Sequence, residues 1–584
     1  MKRLTSPSIV AFLGLALVIF VFGVRIIDPT NTSWISGDAA TMQFGWEQYR
    51  ADPTQLFSLS TNRASWPLPM SVSLFDNIPI VVLLLRPIAA FLPEHFQYLG
   101  IAFAFSVMLQ GGFSVLFLRE ALRKIDVSWE KTVSIIIGAT LVTAAPILYS
   151  RFFMGHISLS FQWLIMAALW VYVRSDRVSH SKTTIAFSII AFFTASVNPY
   201  LLMMIYMVYM AYLIKIAADK CKYTHYISAT APIIIGFLSL MMFGFFDPSS
   251  HAVPTKGYGF YSANFNAFIN PIAKQLGSAF LPELSVAING QQDEGYGYLG
   301  LGGIIIVALG LVRARSKNIL YNKISAPLLI SALISIFLAM SFYLSFGKFM
   351  TIDLGNFVVD HAPNTISSAL KIFRSSGRFI WVSYYIFILL GVYFIVVTFS
   401  RRQSLAILSL CAALQIADLA KPFAIMHARF SALQTQRFTD PIYANLGRAH
   451  DTLIVLPPWQ CEQYDYLLGH YKADYNGDNF EPISMLAADN HLRTNSFYAG
   501  RLLTSQAEYH CKTFPRQFPY TPPDKRTVYM FGPRAFKRDG EHVLQSHFCD
   551  YASKMFVCRA DLGRVGLSDR ARAAMNATKQ QPKA

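Results

Sequence analysis

The chain has 584 residues, of which 54% are hydrophobic and only 14% charged, with a mean hydropathy of +0.38; ordinary soluble domains carry roughly 25% charged residues. That composition argues against a soluble enzyme and predicts a mainly α, polytopic membrane protein. The formal net charge of +17 implies no nucleic-acid partner, because the basic residues of the first 420 positions fall in short gaps between apolar runs, where they set topology.

In chain order, the apolar segment at 8–27 is long enough to span and is followed by no small-residue cleavage pattern, so it reads as a signal anchor. Further spans are expected near 97–118, 131–149, 157–173, 183–197, 199–214, 226–246, 298–312, 324–346, 379–398 and 404–419, eleven in all. With Lys2 and Arg3 in the cytoplasm, alternate gaps carry Arg119, Arg123, Lys124 and Lys131, then Arg174, Arg177 and Lys182, then Lys215, Lys220 and Lys222, then Arg313, Arg315, Lys317 and Lys323, then Arg401 and Arg402, all on one side. The agreement requires that 78–92, broken by Pro79, Arg86 and Pro87, lie along the outer interface instead of crossing. No internal repeat is seen.

An odd number of spans places everything after about residue 420 outside. Cys461, Cys511, Cys549 and Cys558 all fall there, as two disulfides in an oxidising compartment would require. Three pairings are open; Cys461 with Cys511 and Cys549 with Cys558 is favoured, the second flanking the hairpin-like "CDYASKMFVC". Residues 1–419 therefore form a transmembrane domain and 420–565 an outer α/β domain with strands at "TLIVLP", "TVYMFG" and "KMFVCRA". The basic, Ala/Gln-rich tail, 566–584, is expected to be disordered.

Three outer loops are long, 28–96, 247–297 and 347–378, and these concentrate the unusual polar residues. In the first, Ala39, Met42, Trp46 and Tyr49 recur at helical spacing, predicting an amphipathic helix on the membrane surface with Asp38 at its N-terminus. Asp38 is then either an N-cap or a carboxylate held at the membrane boundary as a general base. Asp76 closes the same loop, as a turn residue or a second candidate acid. A short outer turn carries Arg151 and His156. The second long loop offers Tyr258, Tyr261, Asn264 and Glu294, aromatic faces and hydrogen-bonding groups of the kind sugar rings require, although interfacial aromatic belts share that composition. In the third, Arg374 and Arg378 stand on the outer side against the positive-inside trend, which suits either phosphate recognition or headgroup anchoring.

Residues 8–96, with a first span followed by a long outer loop bearing an acid, resemble the GT-C superfamily of integral-membrane glycosyltransferases. The resemblance covers roughly the first 420 residues, and "GDAATMQFGWEQYR", "EGYGYLGLG" and "FRSSGRF" are similar to an uncharacterised bacterial branch of it. It implies a polyprenyl-phosphate-linked sugar donor, a saccharide or lipid acceptor, and transfer on the periplasmic face of a bacterial inner membrane. Asp38 would activate the acceptor, Arg374 and Arg378 would meet the donor phosphate, and His156, Tyr258, Tyr261, Asn264 and Glu294 would hold substrate. Asp38 has no acid two residues away, unlike the paired-acid motif of many members, which leaves a divalent metal open. No nucleotide loop is present. The alternatives are a lipid-linked-saccharide flippase, which would need polar groups at mid-span, and a non-catalytic assembly partner in polysaccharide export.

Overall fold

The computed structural model describes residues 5–579 apart from 54–57, 127, 219–222, 247–252, 254–258, 273–275, 288–291, 355–372, 433–436 and 462–479. The chain divides into two compact units, the first of Met1–Trp34, Gln97–Leu240 and Lys256–Leu433, the second of Ile35–Phe96, Met241–Thr255 and Gln434–Ala584.

The first unit is helical. Among the described residues, seven helices are long and apolar enough to cross a membrane: Leu99–Ala121, Trp129–Phe153, Ile157–Arg174, Pro199–Ala218, His225–Met242, Ser376–Thr398 and Arg401–Ser431. Shorter apolar helices occupy Ser6–Phe22, His180–Ala195, Leu301–Ser316 and Ser325–Met340. The start of the Leu301–Ser316 helix explains the glycines of "GYGYLGLGG". A side chain on Gly302 would meet the Cys411 carbonyl at 2.1 Å, so only glycine lets this helix approach Arg401–Ser431 so closely. The free N–H groups of its first turn are met from that same neighbour: Asp418 accepts from the Leu301 N–H at 3.1 Å and Gln415 from the Gly303 N–H at 3.2 Å. Asp418, fully buried, also accepts from the Tyr298 hydroxyl at 2.7 Å.

The second unit is built on a six-stranded mixed sheet. Its strands are β1 (Thr452–Leu456), β2 (Arg493–Thr494), β3 (Thr527–Phe531), β4 (Phe548–Ala552), β5 (Met555–Arg559) and β6 (Gly566–Leu567), in the order β6-β4-β5-β3-β1-β2. β1 pairs in parallel with both β2 and β3, and β5 runs antiparallel to β3 and β4. Ser553 and Lys554, both with positive φ (52° and 63°), make the two-residue turn of the β4–β5 hairpin. Cys549 and Cys558 face each other across that hairpin and are disulfide-bonded, as are Cys461 and Cys511.

Three expectations need correction here. The Asp38–Arg50 helix is not a surface helix with one wet face, because every residue from Ala39 to Tyr49 is buried. Phe44 packs in one core with Leu453 and Val455 of β1, Val528 and Met530 of β3, and Ile483 and Leu486 of the Phe480–Asp489 helix. Helical periodicity reports an apolar stripe but not whether lipid or protein covers it. Two of its buried amides donate to backbone inside: Gln43 to the Phe96 carbonyl at 3.0 Å and Gln48 to the Leu492 carbonyl at 2.9 Å. The first loop therefore belongs to the same body as the C-terminal strands, and the division of the chain is not linear. Nor is the tail disordered over its described length. β6 pairs with β4, the Asp569–Lys579 helix buries Ala571, and Arg570 bonds Asp440 at 2.7 Å as well as Asp550.

One buried acid makes the second unit sensitive to pH. Burial pushes Glu47 up to about 8, with Asp489 and Glu94 adding to the rise and Arg50 and Gln43 opposing it. An unfolded chain holds this carboxyl near 4.5. Between those values the folded state keeps a proton that the unfolded state has released, so stability falls as pH rises through the window. Glu47→Gln should raise the thermal unfolding midpoint at pH 8.5 by about 2 °C or more and leave it unchanged near pH 4.5. Equal midpoints for the two proteins at both pH values would contradict this origin.

Candidate functional site

Three of the expected site residues, His156, Glu294 and Arg378, come together with Arg151 in the first unit. Glu294 lies in the short 3-10 turn Gln292–Gly295, and its Oε2 accepts from Arg151 at 3.0 Å and from Arg378 at 2.8 Å. Arg151 also donates to the Glu294 carbonyl at 3.4 Å, and His156 Nδ1 stands 3.4 Å from the same guanidinium. Burial alone would raise the Glu294 carboxyl, but the guanidinium groups of Arg378 and Arg151 outweigh it and hold the group well below the usual carboxylate range. Arg151 is fully buried and lies over the Trp381 ring at 5.1 Å, and Arg378 lies over Tyr200 at 4.9 Å.

Backbone packing fixes this arrangement. The 3-10 turn Ser376–Phe379 sets Gly377 against Gly295, where a Cβ would come 2.8 Å from the Gly295 backbone and from the Tyr261 carbonyl. The Gly377 N–H donates to that carbonyl at 2.9 Å, and the Ser375 N–H to the Tyr200 hydroxyl at 3.0 Å. "RSSGR" and "DEGYG" are thus two halves of one contact.

The two arginines of this motif are not equivalent. Arg378 is committed to Glu294, whereas Arg374 lies over the Tyr261 ring at 6.0 Å and has no carboxylate partner among the described residues. Asn264 spends its amide on the chain itself: it accepts from the Gly347 N–H at 2.9 Å and donates to the Gly347 carbonyl at 3.0 Å, tying down the turn between Tyr343–Phe346 and Met350–Asp353. Gln292, bonded to Ser345 at 2.8 Å, belongs to the same network. Tyr258 lies outside the described residues.

The two candidate acids of the first loop, Asp38 and Asp76, are in the second unit. Asp38 is the first residue of its helix, and Gly37, with φ of 58°, occupies the cap position. Asp38 is partly exposed while the eleven residues that follow it are buried, so its carboxylate stands at the open end of a core helix. Glu481 is its near neighbour, with Oε2 accepting the Gly37 N–H at 2.7 Å. Asp76 takes the left-handed conformation (φ 57°) that ends the Val72–Phe75 turn. Among the described residues no group of three or more His, Cys, Asp or Glu side chains is arranged to hold a metal ion.

Sequence reading missed Glu481 and Asp418. Glu481 approaches Gly37 across a separation of 444 residues, for which no local signal exists. Asp418 sits near the end of an expected span, where a carboxylate could have been noticed as costly in lipid. The ionic cluster generates one prediction. Glu294→Gln leaves two guanidinium groups short of their counter-charge and should cost about 3–5 kcal/mol, read as a lowered unfolding midpoint in detergent. A midpoint equal to that of the natural chain would mean that the cluster holds nothing together.

Two family models match the chain: a domain of unknown function, DUF6311, over residues 11–420, and the DUF6311 C-terminal domain over residues 442–560. No curated protein matches it. With both models matched, one after the other and covering most of its length, the chain belongs to the DUF6311 family.

Proposed function

We propose that this membrane protein is a glycosyltransferase of GT-C type, moving a sugar from a polyprenyl-phosphate-linked donor to a periplasmic saccharide or lipid acceptor with inversion. The observation that carries the reading is the setting of Asp38, a partly exposed carboxylate at the head of a helix that is otherwise core. In the reaction Asp38 takes the acceptor hydroxyl proton as the oxygen attacks the anomeric carbon. The bond from that carbon to the phosphate oxygen breaks, and its electron pair leaves with the lipid phosphate. Arg374, a guanidinium of the first unit without a described carboxylate partner, is the group we assign to the donor phosphate, and the Glu294–Arg378 ion pair holds the loops of that same unit.

Parity supports the eleven-span topology. The segments 35–96, 241–255 and 434–584 fold into one body and so share one side of the membrane. The chain must then cross an even number of times between 96 and 241, and again between 255 and 434. Among the described residues, apolar helices of at least 18 residues number five in the first interval, which breaks the rule; His180–Ala195 makes six. In the second interval two long and two shorter described helices keep it. A crossing by Thr5–Phe22 would bring the total to eleven, the count our reading requires, with the second unit across the membrane from the N-terminus. Lys2 and Arg3 then favour a periplasmic second unit.

A flippase would use buried ionic groups in its spans, and Arg151 and Asp418 are such groups. Both are engaged within the protein, by Glu294 and by Tyr298 with the Leu301 N–H, which favours transfer over transport. The two readings separate on Asp38→Asn, which removes the base and keeps the shape. Transfer of labelled sugar from polyprenyl-phosphate donors in membranes should fall by at least about 100-fold, with protein level and melting unchanged. Transfer at the natural rate would remove Asp38 from the chemistry.

A further inference from the structure

The loops at the carboxyl ends of β1 and β2 carry a surface that the transfer chemistry leaves unused, and in open α/β sheets ligands bind at that end of parallel strands. β1 runs out into Pro457, Pro458 and Trp459, and β2 into Asn495 and Ser496. The two loops are stitched together. The Asn495 amide pairs with the N–H and carbonyl of Val455 at 2.8 and 3.0 Å, the Trp459 N–H donates to Ser496 Oγ at 3.0 Å, and Gln460 donates to the Asn495 carbonyl at 2.7 Å. The Cys461–Cys511 disulfide anchors the first loop further.

On this rigid frame Trp459, Phe480 and Tyr498 pack with ring centroids 5.0–5.2 Å apart, each ring partly exposed. The indole N–H of Trp459 is buried and has no acceptor among the described residues. Two acids stand close to these residues along the chain: Glu481 follows Phe480 directly and its Oε2 accepts the Gly37 N–H at 2.7 Å, and a Cβ on Gly500, two residues past Tyr498, would come 3.0 Å from Asp76 Oδ1.

We propose that Trp459, Phe480 and Tyr498, with Glu481, bind a neutral saccharide. Ring faces suit the C–H faces of a sugar, carboxylates accept from its hydroxyls, and the indole N–H finds its acceptor in a sugar oxygen. The same carboxylates disfavour phosphate and other anions. That the saccharide is the acceptor, placed for Asp38 to deprotonate, rests on the transfer reading above; that a sugar binds here does not.

The test is binding, measured apart from transfer. The full chain in nanodiscs is screened by saturation-transfer NMR against neutral oligosaccharides of glucose, galactose, mannose, rhamnose and N-acetylglucosamine. Binding to one class is expected, weakened at least tenfold by Tyr498→Ala and by Trp459→Phe, which keeps a ring but removes the N–H donor. If Tyr498→Ala fails to fold, Trp459→Phe alone decides. No neutral sugar bound at millimolar concentration, or equal binding by Trp459→Phe and the natural chain, would overturn the proposal. Binding that depends on the three rings in a protein that transfers nothing would uphold the site and sink the transferase reading instead.

Discussion

The second unit depends on one packing constraint, the burial of the Asp38–Arg50 helix against strands that lie some four hundred residues later in the chain. Met42, Phe44, Trp46 and Tyr49 are all fully buried, and each such side chain contributes about 1.5–3 kcal/mol. Neither partner buries its apolar face alone: the helix packs against the β1–β3 face of the sheet and the Phe480–Asp489 helix in one core. The body therefore closes only after the intervening helices have been made. A long loop costs little in closure free energy, since the cost grows only with the logarithm of length. What the arrangement gains is rigidity at Asp38, whose helix is gripped on every side beyond its first residue.

Charge follows a different logic in the helical unit. Arg151, Arg378 and Glu294 gather two positive groups around one negative group in a buried setting, and Asp418 closes the start of a helix with hydrogen bonds instead of a counter-ion. A buried charge with a partner is tolerated, and one without is not. Arginine also meets aromatic faces throughout this unit, Arg151 over Trp381, Arg378 over Tyr200 and Arg374 over Tyr261. These contacts let long cations lie along apolar surface. They also explain why "FRSSGRFIW" and "DEGYGYLGLGG" read as distinctive stretches: the first supplies cations and rings, the second the acid and the glycines that allow close approach.

How much of this was legible in the sequence varies with the range of the interaction. Spans showed through because an apolar run of membrane length is a local signal, and the strands at Thr452–Leu456, Thr527–Phe531 and Met555–Arg559 because β-branched and aromatic runs between turn residues are local too. The Cys549–Cys558 hairpin was legible for the same reason. The Asp38–Arg50 helix was located correctly but assigned the wrong surroundings, since its stripe is identical whether lipid or a β-sheet covers it. Glu294 was marked in the sequence as a hydrogen-bonding group of the second long loop, but its two arginine partners come from distant segments and had no local signal. The tail misled because Arg and Ala look like disorder until Asp440 and Asp550 are placed to receive Arg570. The contact of Glu481 with Gly37 had no sequence signature at all.

The central claim is that the acid proposed for catalysis is carried by the core that the C-terminal strands build. Hydrogen exchange on the full chain tests it most directly, comparing the natural protein with Leu453→Ala, which opens a cavity in that core. The account predicts that amides of Asp38–Arg50 and of β3 lose protection together, because one core holds both. Faster exchange in β3 with the Asp38–Arg50 amides unmoved would contradict it, and would return that helix to the membrane surface.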